Sequence, residues 1–582
     1  MLRRIVAGNK LGKESLHGRF VHPDHDFFRG CTVTLTFRCL AVFMIAVLAV
    51  AENSQSALPD ETSATSAGIE NAANELERGT AFERAEQWDE AVAHYERALK
   101  KTPNDKDLEY ALRRARIQMS VSRRYLDESY QELLKSIRVS DMSRLLSEVY
   151  GKIESDYLDP ISVTRFVSHG TESLYMGLAN SHFLKLSAPQ ASVDRIASVR
   201  ATLVKQYWNR EVQNLQEAWS LIEEISSLCG RNLGISQRAV VLEYIFGGIN
   251  ALDHHSVLLT EDENRAMNSH VHGNLVGIGV VIQADSQKGI LLERVFQGGP
   301  AAAGGLQAGD HIIAINGQDC RGVTTNEAAS LLRGEPNSTV RLTYSRADGR
   351  QYTNSFRRQN FTIPSVAHAE MIDPARGIGY IRLEHFQDRT LAELDEAIEN
   401  LRSQGMQALV WDLRGNPGGQ LDVAHRVAQR FISDGVIVRT RGRGRNQSQE
   451  MLAGSLAAHQ FPLALLVDEN SASASEIIAG AVRDHNRGVI VGRTTFGKWS
   501  VQTIMPLTTR WGMALKMTTA RFYSPHDHNY AGRGLEPDVA VPSAADVETL
   551  FFRPVAGEEL RQDPDVVEAI SVLDGRLSRN RQ

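Results

Sequence analysis

The sequence predicts a multidomain α+β protein, because the pattern of apolar residues changes twice along its 582 residues. Residues 122–268 follow a helical period, residues 274–360 contain short β runs, and residues 361–545 alternate buried strands with helices. A chain of this length is expected to form several domains, each with its own core. We therefore expect a helical N-terminal region, a small β domain and an α/β core.

The composition is that of an ordinary globular protein, with 42% hydrophobic and 23% charged residues. The net charge of −6 is small for this length and gives no reason to expect nucleic acid as a partner. Four cysteines are present, and Cys229 and Cys320 are expected in different domains. This usage indicates neither a disulfide framework nor a cysteine metal site.

Residues 1–51 have the form of an export signal. A basic region is followed by an apolar run from Cys39 to Ala51, which ends in Ala49-Val50-Ala51 as a cleavable signal peptide does. The run is short for a membrane span, and an uncleaved signal anchor is the alternative. Both interpretations predict an exported protein, either periplasmic or tethered to the membrane and facing the periplasm.

Residues 52–68 are rich in Ser, Ala, Thr and Glu and are interpreted as a flexible linker. Over residues 69–119, small and aromatic residues resemble one tetratricopeptide unit at Gly79, Phe82, Trp88, Ala91, Tyr95, Ala98 and Pro103. An ordinary helical hairpin explains the pattern equally well, because stable tetratricopeptide arrays need several repeats. A tetratricopeptide-like unit would provide an adaptor surface for a partner.

The helical region 122–268 includes a predicted helix from Val240 to Leu252, which ends at Asp253-His254-His255-Ser256. Paired histidines suggest metal binding at first sight. Adjacent side chains on a helix or turn point apart, however, so a structural or solvated role is favoured.

Residues 274–360 combine β runs at 277–282, 290–295 and 311–317 with glycine-rich turns. They resemble a PDZ domain of the bacterial protease type in the Gly277-Ile278-Gly279 loop, the Pro-Ala-Ala turn, Ala-Gly-Asp, the Ile-Asn-Gly hairpin and the helix Asn326–Arg333. In such a domain the N–H groups of Gly277, Ile278 and Gly279 would bind a terminal carboxylate, and the next strand edge would pair with an extended peptide.

The α/β region brings together residues with possible chemistry. A serine run, Ser471 to Ser475, lies between an apolar strand at 462–467 and a helix at 476–482. A serine on such a turn lies beside free N–H groups that can hold an oxyanion. Lys498, in a glycine-flanked apolar setting, can lose its proton and act as a base. The pattern indicates nucleophilic acyl transfer without histidine, but it does not distinguish the three serines.

Six segments occur in a fixed order over this region: Asp412–Gly419, Ser471–Glu476, Thr495–Lys498, Gln502, Ala514–Tyr523 and Gly532–Asp538. Together they resemble the carboxyl-terminal processing peptidases, or tail-specific proteases, over residues 140–179 and 236–575. The resemblance extends to Leu252–Ser256. It implies a peptidase core at 361–545, a C-terminal helical tail at 546–582 and an insertion at 180–235.

The resemblance also implies roles for residues. Ser473 would be the nucleophile, Lys498 the general base and Gln502 the residue that orients the lysine. The oxyanion hole would use the N–H groups of Ala474 and Gly419. No metal or organic cofactor would be needed.

Such an enzyme would be an endopeptidase acting on protein or peptide substrates with free C-terminal tails. The alternative is a catalytically silent, PDZ-containing peptide-binding scaffold or adaptor. Trp499 stands where the family usually has glycine. A backbone with positive φ at this position would be strained, or the indole would instead line the substrate pocket.

Overall fold

The computed structural model describes residues 61–285, 287–296, 298–454, 458–542 and 557–580. The expected export signal and residues 52–60 lie outside the described residues. The chain divides into two units, Met1–Ala67 and Gly68–Gln582. Helix α1 spans Glu61–Arg84, so the second half of the expected linker is helical, in keeping with the helix propensity of its Ala and Glu residues. No helix among the described residues is long and apolar enough to cross a membrane.

The region from α1 to residue 272 is almost entirely helical. It also contains a π turn at Leu203–Tyr207 and a 3₁₀ turn at Ile249–Ala251. Its regular elements are α1, α2 (Trp88–Lys101), α3 (Lys106–Leu126), α4 (Glu128–Ser136), α5 (Val139–Asp156), α6 (Val163–Gly177), α7 (Ser181–Ser187), α8 (Val193–Thr202), α9 (Leu215–Leu233), α10 (Gln237–Gly248), β1 (Val257–Leu259) and α11 (Glu261–His272).

Helices α1 and α2 pack closely at Gly79. A Cβ atom at this position would lie 2.1 Å from the Tyr95 ring, so a larger residue would separate the helices. The Tyr95 hydroxyl donates to Glu83 on α1 at 2.7 Å. The contact explains the spacing of small and aromatic residues. The same contact would occur in any helical hairpin, so the tetratricopeptide-like interpretation of residues 69–119 stays a prediction.

The segment interpreted as an insertion shares the core of the helical region. Phe183, Leu203 and Ile222 are buried with residues of α3, α6 and α10. The same core includes Leu515 and Met517, which belong to the strand Ala514–Tyr523 of the peptidase region. The helical region is therefore packed directly against the part of the chain that carries the candidate site.

Residues 274–362 form two small antiparallel sheets. One pairs β2 with β9, and the other has the order β3-β4-β5-β7-β8, with β6 beside β5. The elements are β2 (Asn274–Gly277), β3 (Val280–Asp285), β4 (Gly289–Val295), α12 (Pro300–Ala303), β5 (His311–Ile315), β6 (Gln318–Asp319), α13 (Thr325–Leu332), β7 (Thr339–Ser345), β8 (Gln351–Arg357) and β9 (Gln359–Thr362).

The β run expected at 277–282 is divided between two strands. β2 ends at Gly277 and β3 begins at Val280, because Gly279 has a φ of +81° and turns the chain. β3 then lies at the edge of its sheet.

The remaining residues form the α/β core and a C-terminal helical segment. The elements are β10 (Val366–Asp373), β11 (Ile378–Leu383), α14 (Thr390–Ser403), β12 (Ala408–Asp412), α15 (Leu421–Ala428), β13 (Val436–Gly442), β14 (Gln449–Leu452), β15 (Leu463–Val467), α16 (Ala474–Asp484), β16 (Val489–Gly492), β17 (Ser500–Pro506), β18 (Ala514–Tyr523), β19 (Val539–Ala540), α17 (Glu558–Gln562) and α18 (Pro564–Asn580).

The central sheet has the order β10-β11-β12-β15-β16-β19, and all its pairs are parallel except β10 with β11. In this register Asp412 at the end of β12 lies opposite Leu466 of β15. Two loops, the Asn-Pro-Gly-Gly turn and the serine run, therefore leave adjacent strands at the same edge of the sheet. Carboxyl ends of parallel strands are where α/β sheets form their ligand sites.

A second sheet contains β1, β18, β13 and β14, with β17 also paired to β18. β17 begins at Ser500, two residues after Lys498. The candidate base thus enters the site from the second sheet, whereas the serine run comes from the central one.

Candidate active site

Ser473 is the N-cap residue of α16 and has φ +56° and ψ −111°. Positive φ is uncommon for a residue other than glycine, and in a short strand-to-helix turn it indicates a backbone held in place by its surroundings. The turn presents Ser473 at the start of a helix. There the first N–H groups have no intrahelical partners and can bind negative charge.

The three serines of the run differ in what their hydroxyl groups contact. The Ser471 hydroxyl donates to the Leu413 carbonyl at 2.8 Å, and that of Ser475 donates to the Asn416 carbonyl at 2.9 Å. Both residues are fully buried. Ser473 is partly exposed, and its hydroxyl donates to no acceptor among the described residues. Ser473 is therefore the serine of the three whose oxygen is available to a substrate.

The Asn-Pro-Gly-Gly turn lies directly against Ser473. A Cβ atom on Gly418 would lie 2.8 Å from the Ser473 Cβ, and Gly418 has a φ of +101°. The Asn416 side chain accepts from the Gly418 N–H at 2.9 Å, and its backbone carbonyl accepts from Ala472 at 3.0 Å. Asn416 thus ties the glycine turn to the serine run.

Two N–H groups beside Ser473 remain open. Within the described part of the chain, neither the Ala474 nor the Gly419 N–H donates to an acceptor, whereas those of Gly418 and Gln420 are bonded to Asn416 and Phe386. The two open groups are those the sequence analysis expects to form an oxyanion hole. A pair of unbonded donors at this position is what stabilisation of a tetrahedral intermediate requires.

Lys498 lies in the loop between Gly497 and β17 and is mostly buried. Burial, assisted by the positive charge of nearby Lys516, lowers the pKa of Lys498 to about 8. Among the described residues, no carboxylate lies within salt-bridge distance of its ammonium group. An amine in this environment carries a substantial neutral fraction near neutral pH, as a general base must.

Glu476 connects the candidate nucleophile to the candidate base. One of its carboxylate oxygens, Oε2, accepts from the Ser473 N–H at 2.9 Å and from the Lys498 N–H at 2.8 Å. The two backbones are thereby held within two hydrogen-bond lengths of each other. This role of Glu476 is not predicted from the sequence, although a glutamate three residues after an N-cap serine is the pattern of a capping box.

Gln502 lies on β17, and its side-chain amide donates to Ser500 at 2.9 Å and to Thr518 at 3.2 Å. It makes no hydrogen bond to Lys498 among the described residues. Both amide protons are directed to hydroxyl groups, which leaves the carbonyl oxygen available to accept from an amine. The orienting role expected for Gln502 stays a prediction.

Trp499 takes neither of the two arrangements considered from the sequence. It is not among the residues with positive φ, and its side chain is 1% exposed, so it neither strains the backbone nor lines an open pocket. The ring packs 4.7 Å from Phe522 and 4.9 Å from Tyr530, and the indole N–H donates to Glu476 at 3.1 Å.

The tandem histidines lie near the candidate base, on the segment before β1. Their rings are 3.9 Å apart, so the two side chains do not point apart as expected, and the Asp253 carboxylate accepts from the backbone N–H of His255 at 2.9 Å. Burial, with the nearby charges of His254 and Lys498, lowers the pKa of His255 to about 4. His255 is therefore neutral at physiological pH.

The expected peptide-binding loop of the PDZ region lies between β2 and β3. Ile278 is 2% exposed, and its carbonyl accepts from Ala301 at 2.7 Å. The edge strand β3 faces α13, whose Thr325 hydroxyl accepts from the Ala284 N–H at 3.0 Å. An edge strand beside a helix is the geometry that adds an extended peptide as a further strand.

This fold and site define a PDZ-containing α/β protein with a serine at a strand-to-helix turn. Comparison with known proteins agrees: residues 377–541 match the model of peptidase family S41, and residues 267–345 match that of the PDZ domain. A carboxy-terminal-processing protease of Bartonella bacilliformis is 36% identical over 304 residues, which cover 51% of this chain and 68% of that protein. A probable CtpA-like serine protease of Staphylococcus haemolyticus is 33% identical over 293 residues, covering 50% of this chain and 58% of that protein.

Two solved structures are also similar. A photosystem II D1 C-terminal processing protease has 25% sequence identity and a TM-score of 0.38, covering 69% of this chain and 94% of its own. A putative S41 protease from Bacteroides fragilis has 18% identity and a TM-score of 0.38, covering 52% of this chain and 83% of its own. From the match to the Bartonella protein and the S41 model, the chain belongs to the carboxy-terminal-processing proteases of peptidase family S41 and is a serine peptidase.

Proposed function

We propose that this protein is an exported endopeptidase that cleaves protein substrates at or near their C-terminal tails through a Ser473–Lys498 dyad. The observation that carries the proposal is the shared carboxylate oxygen of Glu476, which bonds the backbone N–H groups of both residues. The Ser473 hydroxyl, which donates to no acceptor among the described residues, and the lowered pKa of Lys498 support it.

In the proposed mechanism, neutral Lys498 accepts the proton of Ser473 as the serine oxygen attacks the scissile carbonyl. The developing oxyanion binds the N–H groups of Ala474 and Gly419. Lys498 then returns the proton to the leaving amine, and an acyl-enzyme remains. Water, deprotonated by the same lysine, hydrolyses the ester and frees Ser473. Every proton in this cycle passes through one side chain.

Gln502 is proposed to orient Lys498 through its carbonyl oxygen. A neutral acceptor suits this task, because a carboxylate at the same position would raise the pKa of the lysine and keep it protonated. The bonds from its amide nitrogen to Ser500 and Thr518 would fix the direction of that carbonyl.

The PDZ region is proposed to capture the substrate tail. Its loop at Gly277, Ile278 and Gly279 would bind the terminal carboxylate. The part of the β3 edge that precedes Ala284 would pair with the residues before that carboxylate, since the Ala284 N–H is bonded to Thr325. A requirement for a free carboxylate would explain preference for tails over internal segments. The helical hairpin at 69–119 is a possible adaptor site, and residues 1–51 are proposed to direct export or to tether the protein to a membrane.

The test measures cleavage of an unfolded protein substrate that ends in small apolar residues. The same substrate with an amidated C-terminus is assayed in parallel. Wild type is expected to cleave the free-tailed substrate, and Ser473→Ala and Lys498→Ala are expected to cleave neither. Equal cleavage by all three proteins would contradict the dyad. Tail binding without cleavage by wild type would instead favour the silent scaffold, and equal cleavage of the amidated copy would exclude tail recognition.

A further inference from the structure

Glu476 has an unusual environment for a carboxylate. It is the third residue of α16, is fully buried and accepts five hydrogen bonds. A buried carboxylate is costly unless it is well paired, yet no cation lies within salt-bridge distance of it among the described residues. Its five donors are the N–H groups of Ser473, Gly497 and Lys498, the Thr495 hydroxyl and the Trp499 indole.

The two carboxylate oxygens have separate sets of donors. Oε2 binds the backbones of Ser473 and Lys498, as described above. Oε1 accepts from Thr495 Oγ1 at 2.7 Å, from the Gly497 N–H at 2.7 Å and from the Trp499 indole at 3.1 Å. One oxygen therefore joins the two halves of the dyad, and the other fastens the carboxylate to the lysine loop.

All five partners are donors, so the ionised carboxylate is the form that satisfies them. A proton on either oxygen would face an N–H or O–H group and leave at least one donor unpaired. Burial raises the pKa of Glu476, while the bonds to Thr495, Ser473, Gly497 and Lys498 oppose that rise. The charge is thus held by directed hydrogen bonds.

Trp499 lies in the core beside Glu476, and its indole N–H donates to the Glu476 carboxylate. Its ring is fixed between Phe522 and Tyr530, and it passes over Gly480 of α16, where a Cβ atom would lie 3.0 Å from the ring. The indole therefore has one orientation, in which its N–H points to Glu476. This contact depends on the tryptophan that stands where glycine was expected.

We propose that Glu476 is a positioning residue that sets the distance between the Ser473 and Lys498 loops, and that Trp499 holds its carboxylate in the orientation this requires. The proposal rests on the proposed Ser473–Lys498 dyad. It goes further by assigning the alignment of that dyad to a buried charge and to one aromatic donor, neither of which touches the substrate.

The principal test is Glu476→Gln, measured by the rate at which a peptidyl β-lactone acylates Ser473 by ring opening, with the label located by mass spectrometry. The glutamine side chain has one oxygen, which accepts, and one NH2 group, which only donates. The NH2 group must face one of the two sets of donors, so the hydrogen bonds of that set are lost. We expect the acylation rate and kcat to be about 100-fold lower, because a misplacement of about 1 Å has an effect of that size, with little change in KM.

The pH profile separates positioning from general destabilisation. The negative charge of Glu476 raises the pKa of Lys498. Removal of that charge should therefore move the rising limb of kcat/KM to lower pH. Glu243→Gln is the matched control, because Glu243 is also fully buried and bonded, to Arg124 and Ser173, but lies in the helical region. It should lower the thermal midpoint and leave the pH profile unchanged.

A milder variant tests the proposal even where Glu476→Gln fails to fold. Trp499→Phe keeps an aromatic ring and removes a single donor, and should slow acylation about tenfold, the equivalent of one hydrogen bond to a charged group. Trp411→Phe is its control. Trp411 is fully buried and stacks on Phe431 at 4.7 Å, and its indole N–H has no partner among the described residues.

The outcomes distinguish the two proposals. Acylation of Glu476→Gln and Trp499→Phe at the wild-type rate would overturn the positioning role, and so would slowing of Trp411→Phe equal to that of Trp499→Phe. If wild type is not labelled at Ser473, or Lys498→Ala is labelled at the wild-type rate, the dyad itself fails. Slower acylation in both variants, with a shifted pH profile in Glu476→Gln alone, supports the proposal.

Discussion

Ser473 differs from its neighbours because the chain uses their hydroxyl groups to build the turn that exposes it. The hydroxyls of Ser471 and Ser475 bind the carbonyls of Leu413 and Asn416, both on the neighbouring loop. Removal of either bond would take away one of the two donors that each buried carbonyl has. The run of three serines therefore places the proposed nucleophile between two residues with structural roles.

Lys516 is a second buried lysine near the candidate base, and it gives a prediction at the residue scale. Its positive charge lowers the pKa of Lys498, which is about 8. Lys516→Met removes that charge, so the pKa of Lys498 should rise and the rising limb of kcat/KM should move to higher pH. At pH 7 a smaller fraction of Lys498 is then neutral, and kcat/KM should be roughly threefold lower.

The measurement is kcat/KM from pH 6 to 10 with a neutral substrate. Lys185→Met is the control, because Lys185 is an exposed lysine on α7 and should leave the profile unchanged. A wild-type profile in Lys516→Met would show that the two lysines do not interact, and would leave burial as the cause of the lowered pKa.

At the element scale, the two loops at the edge of the central sheet meet at Gly418. Gly418→Ala would place its Cβ 2.8 Å from Ala472 O, Ala474 N and Ser473 Cβ, so the serine turn would have to move. We expect kcat about 100-fold lower, since a shift of about 1 Å in the nucleophile has an effect of that size. Peptidase kinetics and thermal unfolding should be measured together.

Gly405→Ala is a matched control for that substitution. Gly405 has a φ of +93°, close to the +101° of Gly418, but a Cβ atom there would meet nothing within 4 Å. Both variants should lose about 1–2 kcal/mol of stability from the left-handed backbone. The activity loss should belong to Gly418→Ala alone, and equal activities would indicate that the close approach has no functional consequence.

The elements that form the site could be predicted where each has a local signal. β15 and α16 are apolar segments bounded by glycine, proline or serine, and the structure has them within a few residues of the predicted bounds. The break at Gly279 was missed because the residues on both sides are equally apolar and only the sign of φ divides the strand.

The role of Glu476 could not be predicted from such local signals. Its donors lie some twenty residues away, on the loop that connects β16 of the central sheet to β17 of the second sheet, and only the tertiary fold brings this loop to α16. The donors are Thr495, Gly497, Lys498 and Trp499. For the same reason Trp499 was interpreted as a possible source of strain, whereas its hydrogen bond depends on a partner that lies distant in the sequence.

At the scale of the whole molecule, the PDZ region is joined to the core close to the Asn-Pro-Gly-Gly turn, which is the oxyanion turn of the proposed mechanism. Arg294 of β4 donates to both carboxylate oxygens of Glu384 at 3.0 and 2.9 Å, and the two side chains are 26% and 14% exposed. Two residues on, Phe386 donates to the Gly418 carbonyl at 3.1 Å and accepts from the Gln420 N–H at 2.8 Å. The position of the PDZ region is thus linked to the backbone that carries the Gly419 N–H.

This link predicts that Arg294→Met loosens the oxyanion turn from a distance. A partly buried ion pair, in which one guanidinium nitrogen donates to both carboxylate oxygens, contributes about 1 kcal/mol. The amides of Phe386 and Gln420 should therefore exchange with deuterium about fivefold faster in Arg294→Met. Hydrogen-exchange mass spectrometry of peptides covering 384–390 and 416–421 measures this. Arg341→Met removes an exposed arginine of the same domain that forms no ion pair among the described residues, and it should leave both peptides unchanged. Unchanged exchange in Arg294→Met would mean that the PDZ region and the oxyanion turn are mechanically independent.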